Sequence, residues 1–230
     1  MSGVAIQAVT FDVGGTLIQP WPSVGHVYAQ VAARLGVPQA TAAELDRRFR
    51  SCWAKRKRLT DSRAGWEILV DEVFEGLCPE PPSRTFFPEL YERFAEADAW
   101  RVFDDVVPAL EALRKEGLKI GVVSNWDERL RGLLRKLRLA DYFQAVAISC
   151  EVGVAKPAAA VFHRAASQLG LAPWSILHVG DDPEQDVRGA AAAGLWSLQV
   201  LRGRPRPAGD TLESLAEILP WIANAEAKSD

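Results

Sequence analysis

The sequence predicts an α/β fold: a parallel sheet core with helices on both faces, carrying an inserted all-helical block. Three observations predict it. Apolar runs stop abruptly on polar residues at Asp12, Ser124 and Asp181. From Asp104 onward, strand-like and helix-like segments alternate with short turns between them, the rhythm of repeated βα units with right-handed crossovers. Residues 20–100, by contrast, show helical periodicity and almost no strand texture.

Val4 to Phe11 reads as a buried strand that ends on Asp12 and turns at Gly14-Gly15. Helical segments follow over Val24 to Leu35, Thr41 to Arg58, Ala64 to Leu77 and Ser83 to Ala97. Such a block cannot extend a parallel sheet, so residues 20–100 are expected to form a separate cap. Its joints lie near Pro20-Trp21-Pro22 and Trp100-Arg101, leaving 1–19 and 101–230 as the core. Pro108 to Glu116 is a helix closed by Gly117, and a strand from Lys119 to Ser124 follows. Asp127 is placed to cap a helix through Leu139, and Ala145 to Ser149 reads as a strand. A helix from Pro157 to Leu169 closes at Gly170, before a strand to Val179. Pro183 to Ala193 is helical up to Gly194, with a last strand near Trp196 to Leu201. Proline at helix starts and glycine just past their ends is the expected asymmetry. The basic, turn-rich loop Arg202 to Gly209 leads to a final helix from about Leu212, where Asp210 and Glu213 could form a capping box.

Composition narrows the class of function. With 230 residues, 48% of them hydrophobic and 25% charged, the chain is an ordinary globular protein with room for a substantial core. A formal net charge of −3 argues against a general nucleic-acid surface. No apolar run approaches the roughly 20 residues needed to span a bilayer, and no secretory signal pattern is visible. Cys52, Cys78 and Cys150 are scattered and outside metal-ligand spacing, which reads as reduced thiols in a cytoplasmic protein. No internal repeat is found.

The strand ends carry the chemistry. In open α/β sheets ligands sit beyond the carboxyl ends of the strands, and Asp12 closes the first one. Alone, that aspartate is equally well an Asx-turn. Three further features follow in order: Lys119-Ile120-Gly121-Val122-Val123-Ser124, Lys156-Pro157 opening a helix, and Gly180-Asp181-Asp182-Pro183-Glu184-Gln185-Asp186. Carboxylate, hydroxyl, lysine and acidic loop are the parts of a Mg²⁺-assisted phosphoryl-transfer site. Over about Val4 to Trp196 the set resembles the haloacid dehalogenase-like (HAD) hydrolase superfamily. The four motifs of that superfamily are Asp-x-Asp-x-Thr, Ser/Thr, Lys and Gly-Asp-x-x-x-x-Asp. The resemblance implies a Rossmann-like core with the helical cap of subfamily I.

It also implies roles. Asp12 would be the nucleophile, forming an aspartyl-phosphate that water hydrolyses. Ser124 and Lys156 would act with it on the transferring phosphoryl group, and Thr16 and Asn125 would join them in binding phosphate. Asp12, the Gly14 carbonyl, Asp181 and Asp186 would serve Mg²⁺, Asp186 from the second rank or through water. Asp182 could instead cap the helix at Pro183.

One position departs from the motif. Gly14 stands where the second aspartate belongs, the group that protonates the leaving oxygen and activates water. Such groups contribute ~10²–10⁴ in rate. Three readings stay open: a phosphatase acting on a small phosphorylated metabolite, a relative that binds without turnover, and a carbon-centred hydrolase such as a dehalogenase. A cap carboxylate, Asp61 or Glu67, could replace the missing acid. The other features have plain explanations. His178 reads as a satisfied core histidine, and His26 and His163 lack a metal-ligand partner. Lys55-Arg56-Lys57-Arg58 reads as a solvated helix end. Trp21, Trp53, Trp66 and Trp100 fit a pocket wall or core packing equally. Trp126 and Asp127 would border the site.

Overall fold

The computed structural model describes residues 6–37, 39–55, 62–203 and 211–227. Its strands are β1 (Ala8–Phe11), β2 (Ile18–Pro20), β3 (Trp100–Val102), β4 (Lys119–Ser124), β5 (Ala145–Ile148), β6 (Ile176–Gly180), β7 (Trp196–Val200) and β8 (Thr211–Leu212). Six of them form a sheet in the order β5-β4-β1-β6-β7-β8, parallel at every pairing. The chain builds outward from β1 to one side through β4 and β5, then to the other through β6 and β7. β1 is therefore the switch point, where ligands bind in open α/β sheets. Register matters here. Phe11 lies opposite both Val122 and Val179, so β1, β4 and β6 deliver Asp12, Ser124 and Asp181 to one edge.

Alternation sorts the strand residues between the two sheet faces. On one face Ala8, Val123, Ala145 and Ile176 pack with Val161, Phe162 and Ala165 of α8 (Ala159–Leu169) and Ala190 of α9 (Gly189–Ala192). Phe162 is fully buried, and a side chain of that size contributes about 1.5–3 kcal/mol by leaving water. Val9, Phe11 and Val122 alternate to the other face and are equally buried. α5 (Val106–Lys115), which buries Val106, Ala109, Leu110 and Leu113, packs against β4.

The chain divides into two compact units: residues 1–18, 102–125 and 138–230, and residues 19–101 with 126–137. The second unit holds α1 (Val24–Arg34), α2 (Ala42–Lys55), α3 (Arg63–Phe74), α4 (Phe87–Arg93) and α6 (Leu130–Lys136). It has a core of its own around Tyr28, Val31, Leu45, Leu69, Phe74 and Leu90. The assignment of α6 differs from the sequence boundary at 100. Arg129 donates to the Tyr91 carbonyl, and Lys136 reaches Ala95 O at 2.9 Å and Glu96 at 2.7 Å, tying this segment to α4. The first unit also contains α7 (Ser149–Val152) and α10 (Ile218–Ala227).

Several expected elements differ in detail. The helix expected over Ser83 to Ala97 is broken, because Pro88 fits only the first turn of α4. Asp127 is not the N-cap residue of α6, which is Arg129, but it caps the turn entering it: its Oδ1 accepts the Arg129 N–H at 3.1 Å, and the buried carboxylate pairs with the Arg129 guanidinium at 2.6 Å. α8 begins at Ala159 rather than Pro157, after a cis Lys156–Pro157 peptide. Pro183–Arg188 is a wide turn of helix that precedes α9. The β2–β3 ladder was not expected; its antiparallel ends are tied by Trp21 N–H to Ala99 O at 2.8 Å and Phe103 N–H to Leu17 O at 3.1 Å. The capping box before α10 is Ser214 with Glu217, and Leu212 is in β8. Asp210, Asp61, Arg56 to Arg58, Arg204 to Gly209 and the proposed start of the first strand at Val4 lie outside the described residues.

Candidate active site

Asp12, immediately beyond β1, is 7% exposed. Its Oδ1 accepts hydrogen bonds from Ser124 Oγ at 3.1 Å and Lys156 Nζ at 2.6 Å. The same ammonium donates to Asp186 Oδ1 at 2.6 Å. Asp12, Asp181 and Asp186 each offer an oxygen within 4.8 Å of the others. Four sequence-distant segments thus meet at the edge where β1, β4 and β6 end.

The turn after β1 explains how Asp181 comes so close. Gly15 has φ 83°, and a Cβ there would lie 2.6 Å from Asp181 Oδ2. Only glycine both adopts that backbone and leaves room for the carboxylate. The left-handed conformation falls on Gly15, and Gly14 is not among the described glycines with positive φ; Gly14 bridges Ile18 instead.

Lys156 is positioned through its main chain. Asn125 Oδ1 accepts from Lys156 N–H at 2.6 Å, while its amide donates to Lys156 O at 3.1 Å and Gln185 Oε1 at 2.8 Å. Both side-chain amide hydrogens are thereby engaged by protein, so the Asn125 side chain builds the lysine loop. Gln185, unremarked in the sequence, donates in turn to Asp182 Oδ2 at 3.2 Å. Asp182 caps its turn, accepting the N–H groups of Glu184 and Gln185 at 2.8 Å. Thr16 is fully buried. Its carbonyl accepts from Arg202 Nη2 at 2.6 Å, and its hydroxyl has no hydrogen-bond partner.

Asp186 is 1% exposed and surrounded by donors. Oδ1 receives Lys156 and, at 3.2 Å, His178 Nε2, and Oδ2 receives the Asp182 N–H at 3.0 Å. Oδ1 thus carries two donors and Oδ2 one, so any part of Asp186 in holding a cation or its water falls to the less occupied Oδ2.

The charges do not balance. Burial, more than any other influence, raises the Asp12 carboxyl, with Asp186 adding to it against the pull of Lys156. Burial, then Asp12 and Asp186, push Asp181 up to about 7. Burial would also raise Asp186, but Lys156 and His178 hold it well below the usual carboxylate range. Burial opposes the Lys156 charge, yet Asp12 and Asp186 keep its ammonium above the normal lysine range. Three carboxylates face one ammonium, an excess of negative charge on oxygen donors that suits a hard divalent cation. The residues present therefore fit Mg²⁺, with Asp12 and Asp181 as the side chains free to hold it.

A family model for a haloacid dehalogenase-like hydrolase matches residues 6–194. The chain belongs to the haloacid dehalogenase-like hydrolases. Among curated HAD-like relatives, the haloacid dehalogenase-like hydrolase domain-containing protein 3 of Mus musculus is 31% identical, covering 97% of this chain and 96% of its own. A glyceraldehyde 3-phosphate phosphatase of Methanopyrus kandleri is 36% identical over 108 residues, 44% of each chain. The crystal structure of a HAD phosphatase from Thermococcus onnurineus superposes with a TM-score of 0.68 at 28% identity, covering 96% of this chain and 99% of that one. Among the described residues of this HAD-like chain, no helix is long and apolar enough to cross a membrane.

Proposed function

We propose that this hydrolase is a Mg²⁺-dependent phosphatase acting on a small phosphorylated metabolite through an aspartyl-phosphate on Asp12. The observation that carries the reading is the Lys156 ammonium, 2.6 Å from both Asp12 and Asp186. A buried nucleophilic carboxylate must be kept ionised beside an anionic substrate, and this is the cation that does it. The kinship with a glyceraldehyde 3-phosphate phosphatase supports a phosphate monoester over a halogenated acid.

In this reading an Asp12 oxygen forms a bond to phosphorus as the bond from phosphorus to the ester oxygen breaks. Lys156 offsets the charge on Asp12 and the phosphoryl oxygens. The Ser124 hydroxyl turns from Asp12 to the phosphoryl group, and the uncommitted Thr16 hydroxyl supplies another donor. Water then hydrolyses the acyl-phosphate and restores Asp12. Asp12, Asp181 and the Gly14 carbonyl would hold Mg²⁺, which supplies charge stabilisation when bound. The helical unit is assigned the choice of substrate. Nucleic acid and membrane have no part in the reading, and Cys52, Cys78 and Cys150, none of them in a disulfide among the described residues, favour a cytoplasmic setting.

Gly14 supports a second reading, a protein that binds Mg²⁺ and phosphate with little turnover. Phosphate-ester hydrolysis assayed with Mg²⁺ or with chelator, beside an Asp12→Asn control, separates the two. Mg²⁺-dependent release of phosphate that vanishes in Asp12→Asn supports the phosphatase. Phosphate binding without release supports the second reading.

A further inference from the structure

We propose that His178 is a positioning residue: its Nε2–H, the tautomer that the Asp186 carboxylate requires and that Thr10 helps to orient, donates to Asp186 and so holds it where it shares Lys156 with Asp12. The inference rests on the phosphatase reading above. His178 and Thr10 are fully buried and Asp186 is 1% exposed. His178 Nε2 lies 3.2 Å from Asp186 Oδ1, and Nδ1 lies 3.0 Å from Thr10 Oγ1. An ionised carboxylate only accepts hydrogen bonds, so Nε2 must carry the proton. In the neutral ring Nδ1 accepts, and the Thr10 hydroxyl donates to it. The hydroxyl's other acceptor, Leu177 O, is farther away at 3.5 Å. Phe162 meets the imidazole edge to face, at 5.1 Å and 82°, which restrains the ring.

Packing alone does not call for this arrangement. His163 in the same unit satisfies its Nε2 with a backbone carbonyl, Ala193 O at 3.0 Å. His178 instead spends its bond on a carboxylate of the site. A continuous run, Thr10–His178–Asp186–Lys156–Asp12–Ser124, links the α8 face of the sheet to the edge that carries Asp12. Lys156 is equidistant from two acids, so its placement depends on how much each demands. His178 offsets part of the Asp186 charge. Without that donor Lys156 is drawn toward Asp186, and Asp12 loses its counter-ion during phosphoryl transfer.

The kinetic test uses p-nitrophenyl phosphate with Mg²⁺. His178→Leu is expected to lower kcat by ~10–100-fold, the usual effect of removing a residue that supports a site group, with KM little changed. His178→Gln, which keeps an N–H donor, should retain most of kcat, and Thr10→Val should fall between wild type and His178→Leu. His163→Gln should match wild type. Equal losses in His178→Gln and His178→Leu, or no loss in Thr10→Val, would overturn the proposal. If His178→Leu fails to fold, the near-isosteric Thr10→Val carries the kinetic arm. The second arm does not need turnover. The chain has 3 histidines, so ¹⁵N NMR of the imidazoles can be assigned by single variants. His178 is expected as the Nε2–H tautomer in wild type; the Nδ1–H tautomer there overturns the proposal. If wild type hydrolyses no ester, the phosphatase reading fails, and the NMR arm still decides the hydrogen bond.

Discussion

The Lys156 ammonium lies 2.6 Å from Asp12 Oδ1 on a side chain only 3% exposed. Removing one partner of a buried ion pair typically costs about 3–5 kcal/mol, because the other charge stays buried without compensation. Lys156→Met leaves both Asp12 and Asp186 in that position. It is expected to lower the free energy of unfolding by about that amount in metal-free buffer at neutral pH, and to abolish turnover. Urea denaturation followed by circular dichroism measures the first effect. A variant as stable as wild type would show that the lysine does not hold these acids.

Cation binding should be visible without substrate. A ligand that binds only the folded state raises the melting temperature by mass action, so added Mg²⁺ should stabilise wild type. Asp181→Asn removes one of the two free carboxylates and should largely remove that response. Gly15→Ala should do the same by a different route. Its methyl would fall 2.6 Å from Asp181 Oδ2 at a backbone φ of 83°, displacing the carboxylate. An undiminished Mg²⁺ shift in both variants would place the cation elsewhere.

The missing acid makes a prediction about leaving groups. With no proton donor at residue 14, p-nitrophenyl phosphate should be hydrolysed much faster than alkyl phosphates. Gly14 is not among the described glycines with positive φ, so its backbone angle does not bar Gly14→Asp. It should raise turnover of alkyl esters by up to ~10²–10⁴, the range for a general acid. Parallel rates for both ester classes in wild type would mean that another group already supplies the proton. Glu67, one of the two cap carboxylates considered for that part, pairs with Arg63 at 3.9 Å.

A pH effect on stability is expected from Asp105, away from the acidic cluster. Burial alone would raise its carboxyl. Arg202, the Leu215 N–H and the Ser214 hydroxyl outweigh burial and hold it below the ordinary range. Arg202 reaches both oxygens, at 2.8 and 2.7 Å. An acid depressed on folding stabilises the native state above its unfolded value, about 3.9, and that contribution is lost as pH falls through the folded value. Between pH 6 and pH 3, wild type should therefore lose more stability than Asp105→Asn. Equal losses, read from urea midpoints, would show that the carboxylate is not preferentially ionised in the fold.

What the sequence revealed and what it hid divide along a physical line. Asp12, Ser124 and Asp181 were legible because each closes or follows an apolar run, and strand ends in a parallel sheet share an edge; Lys156, in the loop after α7, was legible only through its place in the motif order. The supporting bonds of Asn125, Gln185 and Arg202 were not legible, because the partners lie 31, 60 and 97 residues away along the chain, beyond any local pattern. The sequence marks His178 as a satisfied core histidine, and it is satisfied; that its partner is Asp186 needs the fold. Two other misses did leave local signals. Pro88 marks the start of α4, and Ser214-Leu215-Ala216-Glu217 has the spacing of the capping box found there. β2 and β3, three residues each, are too short to show periodicity.

The membership of residues 126–137 in the helical unit bears on how such chains can be recombined. An exchange of 19–101 alone with another HAD-like protein would carry α4 away from Arg129 and Lys136, its partners across the chain gap. The recipient would keep Asp127 and Arg129, a pair without the Tyr91 ring that Arg129 covers at 3.4 Å. The transferable module is therefore discontinuous, and its second piece begins at the residue directly after Asn125. A chimaera designer must make four cuts rather than two, one of them beside the lysine loop's own clamp.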